Sequence, residues 1–155
     1  MLAQKFSSFD ISRALAETKA KKISSKIYDQ IILGADQVLD FEGNIYNKPE
    51  NMELAMNLMK RLNGKEHSLF SSICLSKNGS TIWMHTEQVV LKMKQFSDNF
   101  IKDYLKKVGL ETIKKYGVYQ IEGMGKDLFE EIKGDEYSVM GMPIKQLINY
   151  YKLNE

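Results

Sequence analysis

Residues 31 to 39 read Ile31-Ile32-Leu33-Gly34-Ala35-Asp36-Gln37-Val38-Leu39, an apolar run that contains one carboxylate. Such a run, with polar residues on both sides, predicts a buried strand. Burying an ionised carboxylate without a partner is costly, so Asp36 is expected to be paired, to bind a metal ion or to be held protonated. The alternative is that the strand ends at Gly34 and that Asp36 caps a turn, and this stretch alone leaves both interpretations open.

Two lysines are candidate partners for Asp36. After a turn at Glu42-Gly43-Asn44, the segment Ile45-Tyr46 begins a return that ends at Lys48-Pro49, which predicts a hairpin. This hairpin should bring Lys48 near Asp36. Lys19, on a predicted helix, is a second basic candidate. A solvated surface charge is the alternative for either lysine.

The remaining patterns alternate between helices and strands, which predicts an α/β fold with a mixed sheet and flanking helices. Proline is tolerated in the first turn of a helix, so Pro49 and Pro143 are each expected to begin one. The predicted elements are a helix from Ile11 to Ile23 capped by Ser12 or Asp10, a helix from Glu50 to Leu62 ended by Asn63-Gly64, strands at 67–76 and 80–94 joined by Lys77-Asn78-Gly79, a helix begun by Ser97 and ended by Gly109, and a last helix from Pro143 with Ile144, Leu147, Ile148 and Tyr151 facing inward.

Composition limits the class of protein. The 155 residues, 43% of them hydrophobic, are enough for one globular domain with a substantial core. A net charge of +2 argues against stable nucleic-acid binding. No apolar run reaches the length of a membrane span, and the N-terminus lacks a signal-peptide pattern. The single cysteine, Cys74, is expected to be a buried thiol, and one cysteine cannot form an internal disulfide. A cytoplasmic protein is therefore the default expectation. A homodimer remains possible.

Common cofactor motifs are missing from the sequence. It contains no G-x-x-x-x-G-K-[ST] loop and no complete dinucleotide fingerprint. Gly117, Gly123 and Gly125 would let the backbone approach a ligand, or would serve tight turns. The two histidines lack a zinc-ligand spacing with Cys74, so any metal ion should be a hard divalent cation, for which Mg²⁺ is the natural choice. Three aromatic side chains could stack on a base or pack in the core, namely Trp83, Tyr116 and Tyr119.

Eight short segments follow one another from the first predicted helix to the C-terminus. They are Leu15-Ala16-Glu17-Thr18-Lys19-Ala20, Gly34-Ala35-Asp36-Gln37-Val38, Asn47-Lys48-Pro49, Leu62-Asn63-Gly64-Lys65-Glu66-His67, Phe96-Ser97-Asp98, Tyr119-Gln120-Ile121-Glu122-Gly123-Met124-Gly125, Gly134-Asp135 and Met140-Gly141-Met142-Pro143-Ile144. Each segment is a weak signal alone, but their order and spacing are specific. Together they resemble the Maf family of nucleoside triphosphate pyrophosphatases.

The resemblance implies an elongated α/β fold with a twisted sheet and a cleft. It also implies hydrolysis of a nucleotide substrate between its α- and β-phosphates, giving a monophosphate and pyrophosphate. Asp36 takes the position of the family's catalytic acid, which activates water and would also bind the Mg²⁺ ion, and Lys19 and Lys48 match the family's phosphate-contacting lysines. Attack of water on a phosphoryl group needs a base beside the water and cations at the developing charge.

Two further positions concern substrate choice. Gln37 and Glu122 stand where the family separates its substrates. These two residues are more similar to the branch that acts on 7-methyl-GTP than to the branch that acts on dTTP and UTP. A carboxylate at position 122 could accept hydrogen bonds from a guanine-type edge, which presents donors.

One family feature is absent from the sequence. Family members begin with a strand and a turn of the form Ser-x-Ser-x-Arg-Arg, whose donors hold the phosphates. This chain begins Met1-Leu2-Ala3-Gln4-Lys5, and Arg13 does not match the motif. The resemblance therefore implies a single Maf-like domain over residues 1–155 that lacks an N-terminal piece. Two functions are compatible with this expectation: a house-cleaning nucleotide pyrophosphatase, or a catalytically impaired relative that binds a nucleotide or a protein partner in a regulatory role.

Overall fold

A computed structural model describes residues 6–154 of the chain. The expected N-terminal departure at Met1–Lys5 lies outside these residues. Helices and strands follow one another in the order α1 (Ser8–Ser24), β1 (Ile31–Phe41), β2 (Asn44–Tyr46), α2 (Met52–Leu62), β3 (Glu66–Lys77), β4 (Ser80–Met93), α3 (Asp98–Val108), α4 (Leu110–Tyr116), a 3-10 helix (Met124–Leu128), β5 (Phe129–Lys133), α5 (Glu136–Val139) and α6 (Ile144–Leu153).

The five strands form one open sheet in the order β2-β1-β3-β4-β5. This sheet with its flanking helices confirms the predicted α/β class. Each neighbouring pair of strands is antiparallel. The predicted mixed sheet would contain a parallel pair as well, and none occurs within residues 6–154. β2 pairs only with residues 39–41, which leaves the earlier part of β1 as an edge of the described sheet.

β1 continues well past Gly34, so Asp36 lies inside a strand and not in a turn. Asp36 is in register with Ser72 of β3, and Gln37 is in register with Ser71. Because side chains alternate between the faces of a sheet, Gly34 and Asp36 face α1, whereas Gln37 faces the opposite side. Asp36 is largely buried, with 16% of its side chain exposed.

Small side chains let α1 lie very close to the sheet. A Cβ atom added at Gly34 would lie 2.4 Å from the carbonyl oxygen of Ala16 and 2.7 Å from the amide nitrogen of Ala20, so only glycine fits at this contact. Two buried hydroxyl pairs, Ser12 with Ser72 and Ser24 with Ser76, are each 2.7 Å apart. The buried positions of the helix recur every four residues, on one face: Ser8, Ser12, Ala16, Ala20 and Ser24.

The main hydrophobic core lies on the other face of the sheet, beneath α2, α3 and α4. The predicted α2 is confirmed, with its buried side chains on one face and a left-handed backbone at Gly64, where φ is 67°. The predicted β3–β4 hairpin is also confirmed, and its turn uses left-handed backbone at Asn78 and Gly79. Ser97 caps α3 as predicted, and Gly109 ends it.

Two predicted helix starts were wrong in detail. α1 is capped by Ser7, whose Oγ accepts a hydrogen bond from the backbone N–H of Asp10 at 3.1 Å, and not by Ser12 or Asp10. α2 is capped by Asn51, so Pro49 precedes the helix and is not in its first turn. In both cases a side-chain oxygen three residues before a free backbone N–H decides where the helix begins.

The prediction that α6 buries one apolar face was also wrong. None of its residues is buried, and Ile148 and Tyr151 are 46% and 45% exposed. Ile144 and Leu147 are half-buried. Tyr150 stacks on Trp83 of β4 with ring centroids 4.9 Å apart, and Gln146 donates a hydrogen bond to Glu87. An aromatic and an amide contact therefore add to a partly buried aliphatic face.

A helix that crosses a bilayer must be long and apolar, and no helix within residues 6–154 is both long enough and apolar enough to do so.

Candidate active site

A cavity of about 490 Å³ lies beside the edge of the sheet near Asp36. One wall consists of the second half of β1, β2 and the loop that follows it. The opposite wall is the glycine-containing segment 116–122, and the lining is completed by Leu15, Leu58, Leu69, Val139 and Met140. The cavity therefore collects side chains from distant parts of the sequence near Asp36.

Asp36 forms a direct ion pair with Lys19 of α1, with Lys19 Nζ 2.5 Å from Asp36 Oδ1. The same ammonium group donates to the carbonyl oxygen of Ala35 at 3.2 Å. The lysine side chain is 57% exposed, whereas the aspartate is mostly buried. Of the three states expected for a carboxylate inside this strand, the structure has the paired one.

The close contact at Gly34 explains why Lys19 reaches Asp36. Lys19 lies in α1 between Ala16 and Ala20, whose backbone atoms touch the glycine. Asp36 lies two residues further along β1, on the same face as Gly34. A wider separation between α1 and β1 would move the ammonium group away from the carboxylate.

Lys48 lines the same cavity from the loop between β2 and α2. The predicted hairpin is present, since β2 pairs with residues 39–41 of β1. The ion pair of Asp36 is made by Lys19 and not by Lys48. Lys48 forms no ion pair with any residue of the described chain, so its ammonium group is available to an anion in the cavity.

Gln37 borders the cavity and also ties β1 to α5. Its Nε2 donates to Ser71 Oγ at 2.9 Å and to the backbone carbonyl oxygens of Ser138 at 3.1 Å and Val139 at 2.9 Å. Backbone carbonyls only accept hydrogen bonds, so these contacts fix the orientation of the amide. Asp135 is the N-cap of α5. Burial alone would raise the pKa of this carboxyl group, but the hydrogen bonds that it accepts from Ser138 hold the pKa below its ordinary value.

The sequence alone did not reveal this network around Gln37. Ser138 lies 101 residues after Gln37 in the sequence. No sequence pattern connects two positions that are so far apart. The Gly134-Asp135 segment was a partial signal, since an Asp after a Gly is typical of a helix N-cap.

Glu122 lines the cavity from the opposite wall, where its Oε1 accepts a hydrogen bond from Gln120 at 3.3 Å. Gly125 packs against this wall, because a Cβ atom there would lie 2.5 Å from the carbonyl oxygen of Gln120. Gly117 has a left-handed backbone with φ of 92°. Gly117 and Gly125 are thus required by the backbone of the segment itself. This agrees with the alternative that the glycines serve tight turns.

Of the three aromatic candidates for base stacking, only Tyr116 is exposed at the cavity. The hydroxyl group of Tyr119 contacts Nε2 of His67 at 2.6 Å, and its ring packs against Phe129. Trp83 stacks on Tyr150 on another part of the sheet. Packing therefore accounts for Tyr119 and Trp83.

The histidines and the cysteine lie outside the group around Asp36. Burial lowers the pKa of His67 to about 4, and the imidazole packs against the rings of both Tyr119 and Phe129, which also contact each other. Burial likewise raises the pKa of the Cys74 thiol, as expected for a buried structural cysteine. His85 contacts Glu87 at 2.7 Å on β4.

Comparison with known proteins gives the same family as the sequence segments. A model of the Maf-like protein family matches residues 3–153. The nucleoside triphosphate pyrophosphatase of Pelagibacter ubique is 46% identical over 153 residues, which are 99% of this chain and 78% of that protein. The corresponding protein of Ruegeria pomeroyi is 39% identical, with 99% and 77% covered. The 7-methyl-GTP pyrophosphatase of Bartonella quintana is 40% identical over 139 residues, which are 90% of this chain and 70% of that protein. The chain belongs to the Maf-like protein family.

Proposed function

We propose that this chain is a nucleoside triphosphate pyrophosphatase, a hydrolase that cleaves a nucleotide between its α- and β-phosphates. The observation that supports this most strongly is the direct Lys19–Asp36 pair at a cavity that Lys48 also lines. The carboxylate of Asp36 accompanied by two lysines suits a reaction in which water attacks a highly charged phosphate chain. The names of the relatives support the same class of reaction.

In this proposal Asp36 accepts the proton of the attacking water. Its position within β1 fixes the carboxylate in one place, and its remaining 16% exposure allows water to approach. Lys19 keeps a positive charge beside the carboxylate, and Lys48 supplies a second one from the loop after β2, which lines the same cavity. These charges would stabilise the negative charge that develops on the phosphate oxygens.

The residues also fit a Mg²⁺ ion that is bound together with the nucleotide. Mg²⁺ in nucleotide enzymes is typically held by one or two carboxylates and by substrate phosphates, and Asp36 would be the protein's carboxylate. Within residues 6–154, His, Cys, Asp and Glu side chains form no group of three or more that could hold a metal ion alone. When bound, the ion would neutralise phosphate charge and polarise the phosphoryl group.

Pyrophosphate release from a panel of nucleotides with Mg²⁺ tests the proposal. We expect release by the wild-type chain and a loss of about 100-fold or more in kcat for Asp36→Asn, which removes the proton acceptor. Asp103→Asn removes the same charge from the exposed surface of α3 and should leave the rate unchanged. Thermal unfolding of each variant verifies that it is folded.

The outcomes separate the two functions that the sequence allowed. Release that is indifferent to Asp36→Asn would contradict the assignment of Asp36. Nucleotide binding without release of pyrophosphate from any nucleotide would contradict the enzymatic proposal and would support the catalytically impaired, regulatory relative.

We further propose that the substrate is a 7-methyl-GTP-like nucleotide in preference to dTTP or UTP. The Nε2 of Gln37 is engaged within the protein, which leaves the carbonyl oxygen of this amide as its group for accepting further hydrogen bonds. Glu122 is also an acceptor, and both residues line the cavity. A guanine-type edge presents the donors that two acceptors require.

The variant Glu122→Gln tests this substrate preference. Replacing the carboxylate by an amide should lower kcat/KM for 7-methyl-GTP relative to UTP by about tenfold, because a charge-assisted hydrogen bond is lost. Glu111→Gln on α4, outside the cavity lining, serves as the control. An unchanged ratio of the two kcat/KM values would contradict the assignment of Glu122.

A further inference from the structure

A second hollow, of about 510 Å³, opens beside the cavity of Asp36. It is lined by Lys48, Pro49, Glu50 and Lys114. Lys48 and Pro49 also line the first cavity, so the two spaces meet at the loop before α2. Lys114 comes from a separate element, the last turn of α4.

The charges of this hollow favour an anion. Its charged lining residues are two lysines, Lys48 and Lys114, and one carboxylate, Glu50. Neither lysine forms an ion pair within the described chain, so no carboxylate of the described residues neutralises either charge directly. Like charges from two elements that line one space are favourable only when an anion or solvent screens them.

We infer that Lys114, together with Lys48, forms a subsite for the outer phosphates of the substrate, and hence for the pyrophosphate product. This inference rests on the proposed function. It assigns to Lys114 a role in binding that no sequence segment indicated.

The positions of the other groups give the direction of the bound nucleotide. Cleavage between the α- and β-phosphates places the reacting bond near Asp36, and the base lies at the segment that carries Glu122. The outer phosphates then extend past Lys48, the residue shared by both spaces, and reach Lys114. Lysine binds phosphate oxygens as a point charge, which suits a flexible phosphate chain.

Calorimetric titration with inorganic pyrophosphate in the presence of Mg²⁺ tests the subsite directly. We expect Lys114→Met to raise the Kd of pyrophosphate by about tenfold, the effect of one lost charge-assisted contact. Binding of a nucleoside monophosphate should be unchanged, because it does not reach Lys114. Lys114→Arg keeps the charge and should retain pyrophosphate binding.

Lys107→Met is the matched control, since it removes a lysine from the last turn of α3, outside both hollows. Equal pyrophosphate affinity in wild type and Lys114→Met would overturn the inference, as would an equal loss in Lys107→Met or an equal weakening of monophosphate binding. The titration needs no turnover. A chain that hydrolyses no nucleotide, but loses pyrophosphate binding selectively in Lys114→Met, would therefore contradict the proposed function and still support the subsite.

Discussion

At the scale of single residues, Asp36 and Lys19 depend on each other. A carboxylate inside an apolar strand needs a partner, and Lys19 provides it at 2.5 Å. The lysine remains more than half exposed, so its ammonium group stays open to solvent beside the carboxylate. This one ion pair thus neutralises the carboxylate inside β1 and also places a cation beside it.

Replacing Lys19 by Gln should lower kcat/KM for the nucleotide by about 100-fold, because a cation at the developing charge is lost. The measurement is steady-state pyrophosphate release. Lys22→Gln, an exposed lysine of the same helix, is the control and should keep the wild-type rate. Equal rates in wild type and Lys19→Gln would contradict the role of Lys19.

His67 makes the stability of the fold depend on pH. Its pKa is about 4 in the folded protein and about 6.5 when exposed, so the unfolded chain binds more protons between these values. The stability contribution is complete above pH 6.5 and is lost as the pH falls towards 4. Lowering the pH from 7 to 5 should reduce the free energy of unfolding by about 2 kcal/mol through this residue alone.

Denaturant unfolding at the two pH values checks this expectation. His67→Phe keeps an aromatic ring against Tyr119 and Phe129, and its free energy of unfolding should depend less on pH than that of the wild type. His85→Gln, on the half-exposed pair with Glu87, should behave as the wild type. The same pH dependence in His67→Phe and wild type would show that another group is responsible.

At the scale of elements, the docking of α1 on β1 positions the ion pair. Gly34→Ala introduces a Cβ atom 2.4 Å from a backbone oxygen, which forces the helix away from the strand. We expect a destabilisation of about 1–3 kcal/mol, typical of overpacking, together with a fall in kcat as Lys19 leaves Asp36. Unfolding and pyrophosphate release are measured on the same variant.

Gly123→Ala is the matched control for stability. Its added Cβ atom would lie 3.8 Å from the nearest atom, and its backbone is not left-handed. If Gly34→Ala destabilised the protein no more than Gly123→Ala, the close contact would not position α1.

Elements with local signals were predictable, and those that depend on distant contacts were not. α2 and the β3–β4 hairpin followed from helical spacing and from the Asn78-Gly79 turn. The face of α6 was wrong, because Trp83 and Glu87 of a distant strand decide which side of that helix docks. Both lysines near Asp36 were candidates, but only the packing at Gly34 decides that Lys19 makes the contact.

At the scale of the whole molecule, the sheet separates two kinds of packing. α1 lies on one face through small residues and hydroxyl groups, and the larger apolar core fills the other. The cavity lies at the edge between them, where Asp36 from one face and Gln37 from the other line the same space. The fold thereby brings Asp36 and the segment that carries Glu122 to one cavity.

Phosphorus NMR of the products tests the central claim most directly. A nucleoside triphosphate incubated with the protein and Mg²⁺ should give equal amounts of monophosphate and pyrophosphate, and Asp36→Asn should abolish both signals. Diphosphate with orthophosphate as the products, or monophosphate and pyrophosphate formed equally well by Asp36→Asn, would contradict the account.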